Sequence, residues 1–417
     1  MPRCQKMVNK TAAFLLLGAI ASEVLASTNF SSNSRSVFNK RSESDWVCSS
    51  DDTPSLMLTH FAAVFFGDFT TTGGQDILGP LAVGGKFTAN HYTVNANQSP
   101  KCSDGANNIK DYALVVDGKV DADEVRLKGN AQVPEGSTGL VETIDTCKVY
   151  KGGKSIYDFN LARQNALSAS ETFARMRPNM ILRSDGTLSS LRESVDGFHV
   201  LTFSTCNEGS CDLIPGQMSD PSALLQGKGN WNGPKGMSWP KTGTLVLNIP
   251  VESGSTFTLL GNLVTQGMDP CRTIFNFYSS KNGGISSGSF TLKRHTGSNL
   301  GAFVLAPRAN IIDGSTGAFA GTVVGNNYSW GGSGIEIHNY KAAGGSCDTF
   351  EGCLPIVPPK KTTTTSTAAT TTTTSIKGAT PTTSTTAAVP TTTCTKSTCK
   401  NTTTTAAVPT TTCTKST

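Results

Sequence analysis

After its first thirty residues the sequence contains no apolar run long enough to cross a bilayer, so no membrane-spanning anchor is expected. It also lacks the terminal hydrophobic stretch that a glycosylphosphatidylinositol signal requires. Histidine is scarce, five in 417 residues, and no two stand in an H-x-x-x-H pair, which removes the common histidine-based metal motifs. The cysteines never form two matching tight pairs, so structural zinc is disfavoured. Carboxylates are missing beyond residue 354, where Lys360, Lys361, Lys377, Lys396, Lys400 and Lys415 outnumber the whole formal surplus of +5. The body is therefore near neutral, without the focused basic face that nucleic-acid binding demands.

What is present speaks of export. "MPRCQKMVNK" followed by "TAAFLLLGAIA" and "VLA" reads as a signal peptide over 1–26. Lys40-Arg41 is a dibasic processing site, which would bound a pro-segment over 27–41. Cys48, Cys102, Cys147, Cys206, Cys211, Cys271, Cys347 and Cys353 make an even set, as a disulfide framework in an oxidising compartment requires, with connectivity left open. Residues 355–417 are Thr- and Ser-rich, with "TTAAVPTTTCTKST" given twice and no aromatic side chain. Such a segment cannot bury enough apolar surface to offset its ordering entropy, and it reads as a disordered, O-glycosylated stalk.

The body, 42–354, is mainly β. Short apolar runs such as "LAVGGKF", "YALVVDGKV", "TLVLNIPV", "TIFNFY" and "GTVVGNNYSW" are divided by Gly, Asn and Asp. Strands expected near 303–305, 310–312, 322–324 and 335–337 recur too closely for a sandwich of long strands, and small residues occupy the turns. The expectation is a parallel β-solenoid-like domain with one long accessory helix and a disordered tail, a β-sandwich being the alternative. The helix is "SIYDFNLARQNALSASETFARM", where Phe159, Ala162, Ala166, Ser170 and Phe173 share one face and Pro178 follows. A weaker helix is expected over 55–66.

Catalytic and metal motifs fare poorly. "GISSG", 284–288, fits G-x-S-x-G but lacks the strand–turn–helix setting that a nucleophile elbow needs. "DADE", 121–124, lacks the glycine spacing of calcium loops and reads as a solvated turn. Asp68, Glu336 and His338 are the raw material for a carboxylate-plus-base site if the fold brings them together. Glu336 and His338, two apart in "GIEIHNY", would share one face of a strand. Asn97, Asn327 and Asn401 open N-x-S/T triplets and are candidate N-glycosylation sites. No cofactor is implied.

In order along the chain, "FFGDF", "LAVGGKF", "YDFNLARQNALSAS", "RTIFNFY", "GAFVLAPRANI", "GTVVGNNYSW" and "GIEIHNY" resemble the elements of choice-of-anchor A domains. The resemblance implies an exported, adhesin-like surface domain and brings no catalytic residues; it implies that Glu336 and His338 are structural, while the sequons and the dibasic site point to a fungal-type secretory setting. The protein is accordingly expected to be extracellular, secreted or at the cell surface or wall. Its β-rich head would bind cell-wall or extracellular polysaccharide, or surface proteins, from a glycosylated stalk. The alternative is a polysaccharide-acting enzyme with a groove site on the solenoid. Ice binding ranks last, because it needs a flat Thr array in the body and the threonines concentrate in the tail.

Overall fold

The computed structural model describes residues 53–356, except 72, 74, 104, 205, 208–209, 212–217 and 332–335. Cys48, Asn401, the signal peptide, the dibasic site and the Thr-rich tail lie outside the described residues. Nearly all described strands join one large sheet whose neighbours are predominantly parallel, and it winds as a three-sided solenoid. The first face runs from Phe198–Thr202 through Thr244–Glu252, Thr273–Lys281, the first part of Leu300–Asp313 and the middle of Phe319–Trp330. It continues through Ala63–Phe65, Leu81–Val83, Tyr112–Val116, Asn130–Val133 and Val149–Lys151.

This order is not the order of the chain. Residues 63–151 stack coil upon coil in one direction. Residues 198–330 then arrive from the opposite end, so that the last coil pairs with the first. Ala63, Val64 and Phe65 sit in parallel register with Val323, Val324 and Gly325, and Ile77 pairs with Ile337. Between the halves, the helix Phe159–Arg175 covers the outer side of the first face. Asp158 caps it by accepting the Leu161 amide. Ala162, Ala166, Ser170 and Phe173 are buried against the sheet as the 3.6-residue spacing predicts.

Two expectations need correction. The weaker helix ends at Thr59, and Ala63–Phe65 is a strand, because its side chains alternate between the solenoid interior and the layer under the helix. The closely spaced strands near 303–312 are one strand, Leu300–Asp313, bent by a register shift between Ala306 and Asn310, and the strand near 322 extends over Phe319–Trp330. Each turns a corner and serves two or three faces. A bulge lets one continuous strand do this while keeping most of its ladder bonds.

Two polar devices lock the walls. Under the helix, Asn276 donates to the Ser170 carbonyl at 2.9 Å and to Asn248 Oδ1 at 2.8 Å, and accepts from Ser170 Oγ at 2.6 Å. Asn248 in turn donates to the Phe173 carbonyl at 2.6 Å. Inside the corner between second and third faces, Arg294 and Asp313 form an ion pair at 2.5 Å, both side chains wholly buried. Arg294 also donates to Thr296 Oγ1 and the Thr316 and Gly317 carbonyls, and Tyr328 Oη donates to Asp313.

Candidate binding face

The helix covers the first face and leaves the second open. The strands of the second face, in spatial order, are Thr256–Leu259, Phe290–Arg294, the end of Leu300–Asp313, the end of Phe319–Trp330, Phe69–Thr70, Phe87–Asn90 and Val120–Asp123. Seven strands at about 4.8 Å spacing make a wall roughly 30 Å across. The period-two alternation decides what each strand shows. Phe257, Leu292, Ile311, Tyr328, Phe69 and Phe87 point inward and are buried. The rings of Tyr328, Phe69 and Phe87 stack successively at 5.1 and 5.6 Å with interplanar angles near 10°. Stacked rings of one size under successive strands hold the wall at an even level.

The outward residues form two ranks. In one, Thr256, Thr291, Asn310 and Asn327 stand in direct register. In the other, Thr258, Lys293, Ile312 and Ser329 follow one another, and Thr70, Thr88 and Asp121 continue the rank. Body threonines do therefore align, a pattern hidden while the tail dominated the count. The first rank is held by its own bonds: Asn327 donates to Asn310 Oδ1 at 2.8 Å and accepts the Asp68 amide at 2.7 Å. Asp68 accepts the Lys86 amide at 2.7 Å, and the Lys86 ammonium meets Asp121 at 2.6 Å. Gly67 makes room for this, since a Cβ there would lie 2.0 Å from Asn327 Oδ1, and a Cβ on Gly85 would lie 2.3 Å from Asp68 Oδ1. The glycines of "FFGDF" and "AVGGKF" are thus set by the corner at which successive coils meet.

The three residues of the enzyme alternative do not form one group. Asp68 belongs to the corner beside the second face, in the amide chain just given. Glu336 and His338 lie on the third face, flanking buried Ile337, and His338 Nε2 meets Glu336 Oε2 at 2.7 Å. Their neighbour is Asp76, which no motif singles out. Burial, then the Glu336 charge, raises its carboxyl above the usual range, with His338 and Lys128 opposing. Among the described residues no group of three or more His, Cys, Asp or Glu side chains is placed to hold a metal ion. In "DADE", Asp121 pairs with Lys86, and Glu124 pairs with Arg126 and His91. The Arg126 hydrogen bond and charge, then His91, hold the Glu124 carboxyl below its usual range.

The cysteines sort as follows. Cys102 is bonded to Cys147 and Cys271 to Cys347, and Cys353 is disulfide-bonded as well. Cys206 and Cys211 face each other in register across a two-stranded antiparallel turn. Of the sequons, Asn97 is exposed in a turn, whereas Asn327 lies within a strand with its amide engaged. No described helix is long and apolar enough to cross a membrane.

The structure is thus a parallel solenoid with one wall covered by a helix and another that presents two outward ranks, mostly of polar side chains. In the family comparison, residues 54–339, more than half of the chain, match the model described as "Putative Ice-binding-like adhesive domain", and the chain belongs to this family. No curated protein and no solved structure matches it.

Proposed function

We propose that the solenoid is the adhesive head of an exported surface protein, and that its second face is the surface that makes contact. The observation that carries this reading is the pair of outward ranks, Thr256–Thr291–Asn310–Asn327 in register over four strands and the rank beside it continued over seven. Hydroxyls and amides held at the strand spacing match a partner that presents hydroxyls at regular intervals, so cell-wall or extracellular polysaccharide is the favoured ligand class and surface proteins come second. Preorganisation supports it, because side chains already bonded to one another lose little freedom on binding. The ordered elements that resemble choice-of-anchor A domains support a finer kinship within adhesive domains. The Thr-rich segment would be the glycosylated stalk, and disulfides fit the extracellular setting.

The test is depletion of the secreted protein onto insoluble wall polysaccharides and intact cells, with soluble sugar release followed in parallel. Saturable retention without release, weakened at least about tenfold by Thr291→Tyr, which breaks the flatness at mid-wall, is the expected result. Retention that Thr291→Tyr leaves unchanged would move the contact surface elsewhere. Ice contact is a second reading favoured by the same ranks and by the family. Lys293 and Ile312 interrupt the threonines, and thermal hysteresis decides between them.

A further inference from the structure

Where the first face ends, the fold leaves an apolar cavity that none of the features above uses. Phe198–Thr202 joins the ladder of that face through Thr244–Glu252. Its other edge is closed by Asn179, which stands in for a further strand. The Asn179 amide donates to the Val200 carbonyl at 3.0 Å, its Nδ2 donates to the Phe198 carbonyl at 2.8 Å, and its Oδ1 accepts the Val200 amide at 2.7 Å. The Asn179 carbonyl accepts the Leu191 amide at 2.8 Å, and the Phe198 amide donates to the Val195 carbonyl at 2.9 Å. Phe173, in the last turn of the helix, packs on Phe198 with ring centres 5.7 Å apart. The helix ends at Arg175, and the residues that follow it border a cavity of about 320 Å³ shared with loop 192–196.

The lining divides into an apolar interior and a charged opening. Met176 and Val195 present apolar surface, backed by Phe198 and Val200, which are almost wholly buried. The polar atoms of this strand edge are committed to one another, as the bonds above show, so an entering polar body would give up its bonds to water for little in return. Val195 is 66% exposed, the most exposed large apolar side chain among the described residues. Exposed apolar surface bordering an apolar cavity marks a ligand groove.

The charged lining residues are Arg177, Arg192 and Asp196. Arg177 and Asp196 are exposed and Arg192 is half-buried. Among the described residues the Arg177 side chain engages no partner, so its long stem is free to carry the guanidinium over the opening. Two cations against one carboxylate select a single negative charge, and the apolar walls select an apolar body. The volume is about ten times the roughly 30 Å³ that one water occupies, which sets the scale at about ten heavy atoms, the small end of ligand pockets. We propose that this cavity binds a small amphipathic monoanion, an aliphatic or aryl-alkyl carboxylate, with its body against Met176 and Val195 and its head met by Arg177 and Arg192. Guanidinium–carboxylate pairing gives the head its selectivity. The site does not rest on the second-face reading, since it uses the outer side of the first face beyond the helix.

The experiment titrates the full secreted chain with octanoate and 3-phenylpropanoate by calorimetry and saturation-transfer NMR, beside octylamine, 1-octanol and acetate. Expected is saturable binding of at least one of the two larger carboxylates, with octylamine and octanol weaker by about tenfold or more and acetate not saturating. Arg177→Glu reverses the charge at an exposed position, and Val195→Asp sets a carboxylate on the apolar lip. Each should weaken binding about tenfold or more while the urea midpoint stays native, and Thr291→Tyr should leave binding intact. Failure of both carboxylates to saturate overturns the proposal and leaves the cavity to a protein segment, from this chain or a second copy. Unchanged affinity in Arg177→Glu or Val195→Asp overturns it as well, and so does octylamine binding as tightly as octanoate.

Discussion

Removing either partner of the Arg294–Asp313 pair should be costly, and the two removals should differ in a way that identifies the reason. Both side chains are wholly shielded, and Arg294 spends its donors on Asp313, Thr296, Thr316 and Gly317 while stacking 5.3 Å from the Phe319 ring centre. Deleting one member of a buried pair typically costs about 3–5 kcal/mol, because the survivor's charge is left without compensation. Asp313→Asn leaves a guanidinium that cannot shed its proton, so the full cost applies. Arg294→Met leaves a carboxylate that can take one up. Burial already raises the Asp313 carboxyl above its usual range against the pull of Arg294, and without Arg294 it rises further. A carboxyl raised in the folded state contributes stability below the unfolded pKa and loses it as pH climbs through the folded pKa. Arg294→Met should therefore be least damaged near pH 4 and decline towards pH 7, whereas Asp313→Asn should show no such rescue. Urea unfolding of the secreted protein between pH 4 and 8 reads this directly from the midpoints. Equal losses with parallel pH profiles would refute the reasoning, and so would single variants as stable as the native chain.

Asn276→Ala strips partners from Ser170 and Asn248, and an expected loss of about 3–5 kcal/mol should appear first as faster amide exchange in the helix Phe159–Arg175. His60 should make the fold acid-sensitive: with its pKa lowered from 6.5 to about 4, the stability it contributes is complete above pH 6.5 and is lost as pH falls to about 4. At most 1.36 kcal/mol per pH unit is involved, and His60→Phe should flatten the urea midpoints over that window. Replacing Cys271 and Cys347 together by Ser reopens a separation of 76 residues, for which chain entropy predicts about 4 kcal/mol and a clear drop in melting temperature. Peptide mass spectrometry of protein from a glycosylating host should find glycan at exposed Asn97 and an unmodified Asn327, whose amide is bonded within the rank.

What could be read in the sequence was local, and what could not was long-range. The helix announced itself through Ala162, Ala166 and Phe173 at one spacing, with Pro178 behind. Short apolar runs such as "TLVLNIPV" and "TIFNFY" marked strands, and period two placed Glu336 and His338 on one face across Ile337. Nothing local reveals that Asp68 meets Asn327 across 259 positions, because the first half of the chain winds away from the seam and the second half winds back to it from the far end. The second face is assembled at that seam. Thr70 and Thr88 come from the first half, and Thr256, Thr291 and Asn327 from the second; each run alone looks like an ordinary half-buried strand. Arg294 and Asp313 were likewise invisible, since an arginine ending one strand and an aspartate ending another read as surface charges until a corner encloses them. The contact wall is therefore a property of the stacking order, and substitutions that loosen the seam should dull the wall before they unfold the domain. Phe69→Ala, which removes the ring between Tyr328 and Phe87, is the sharpest case: retention on the ligand surface should fall while the helix-covered first face keeps its exchange protection, and simultaneous loss of both would show that wall and seam are not separable.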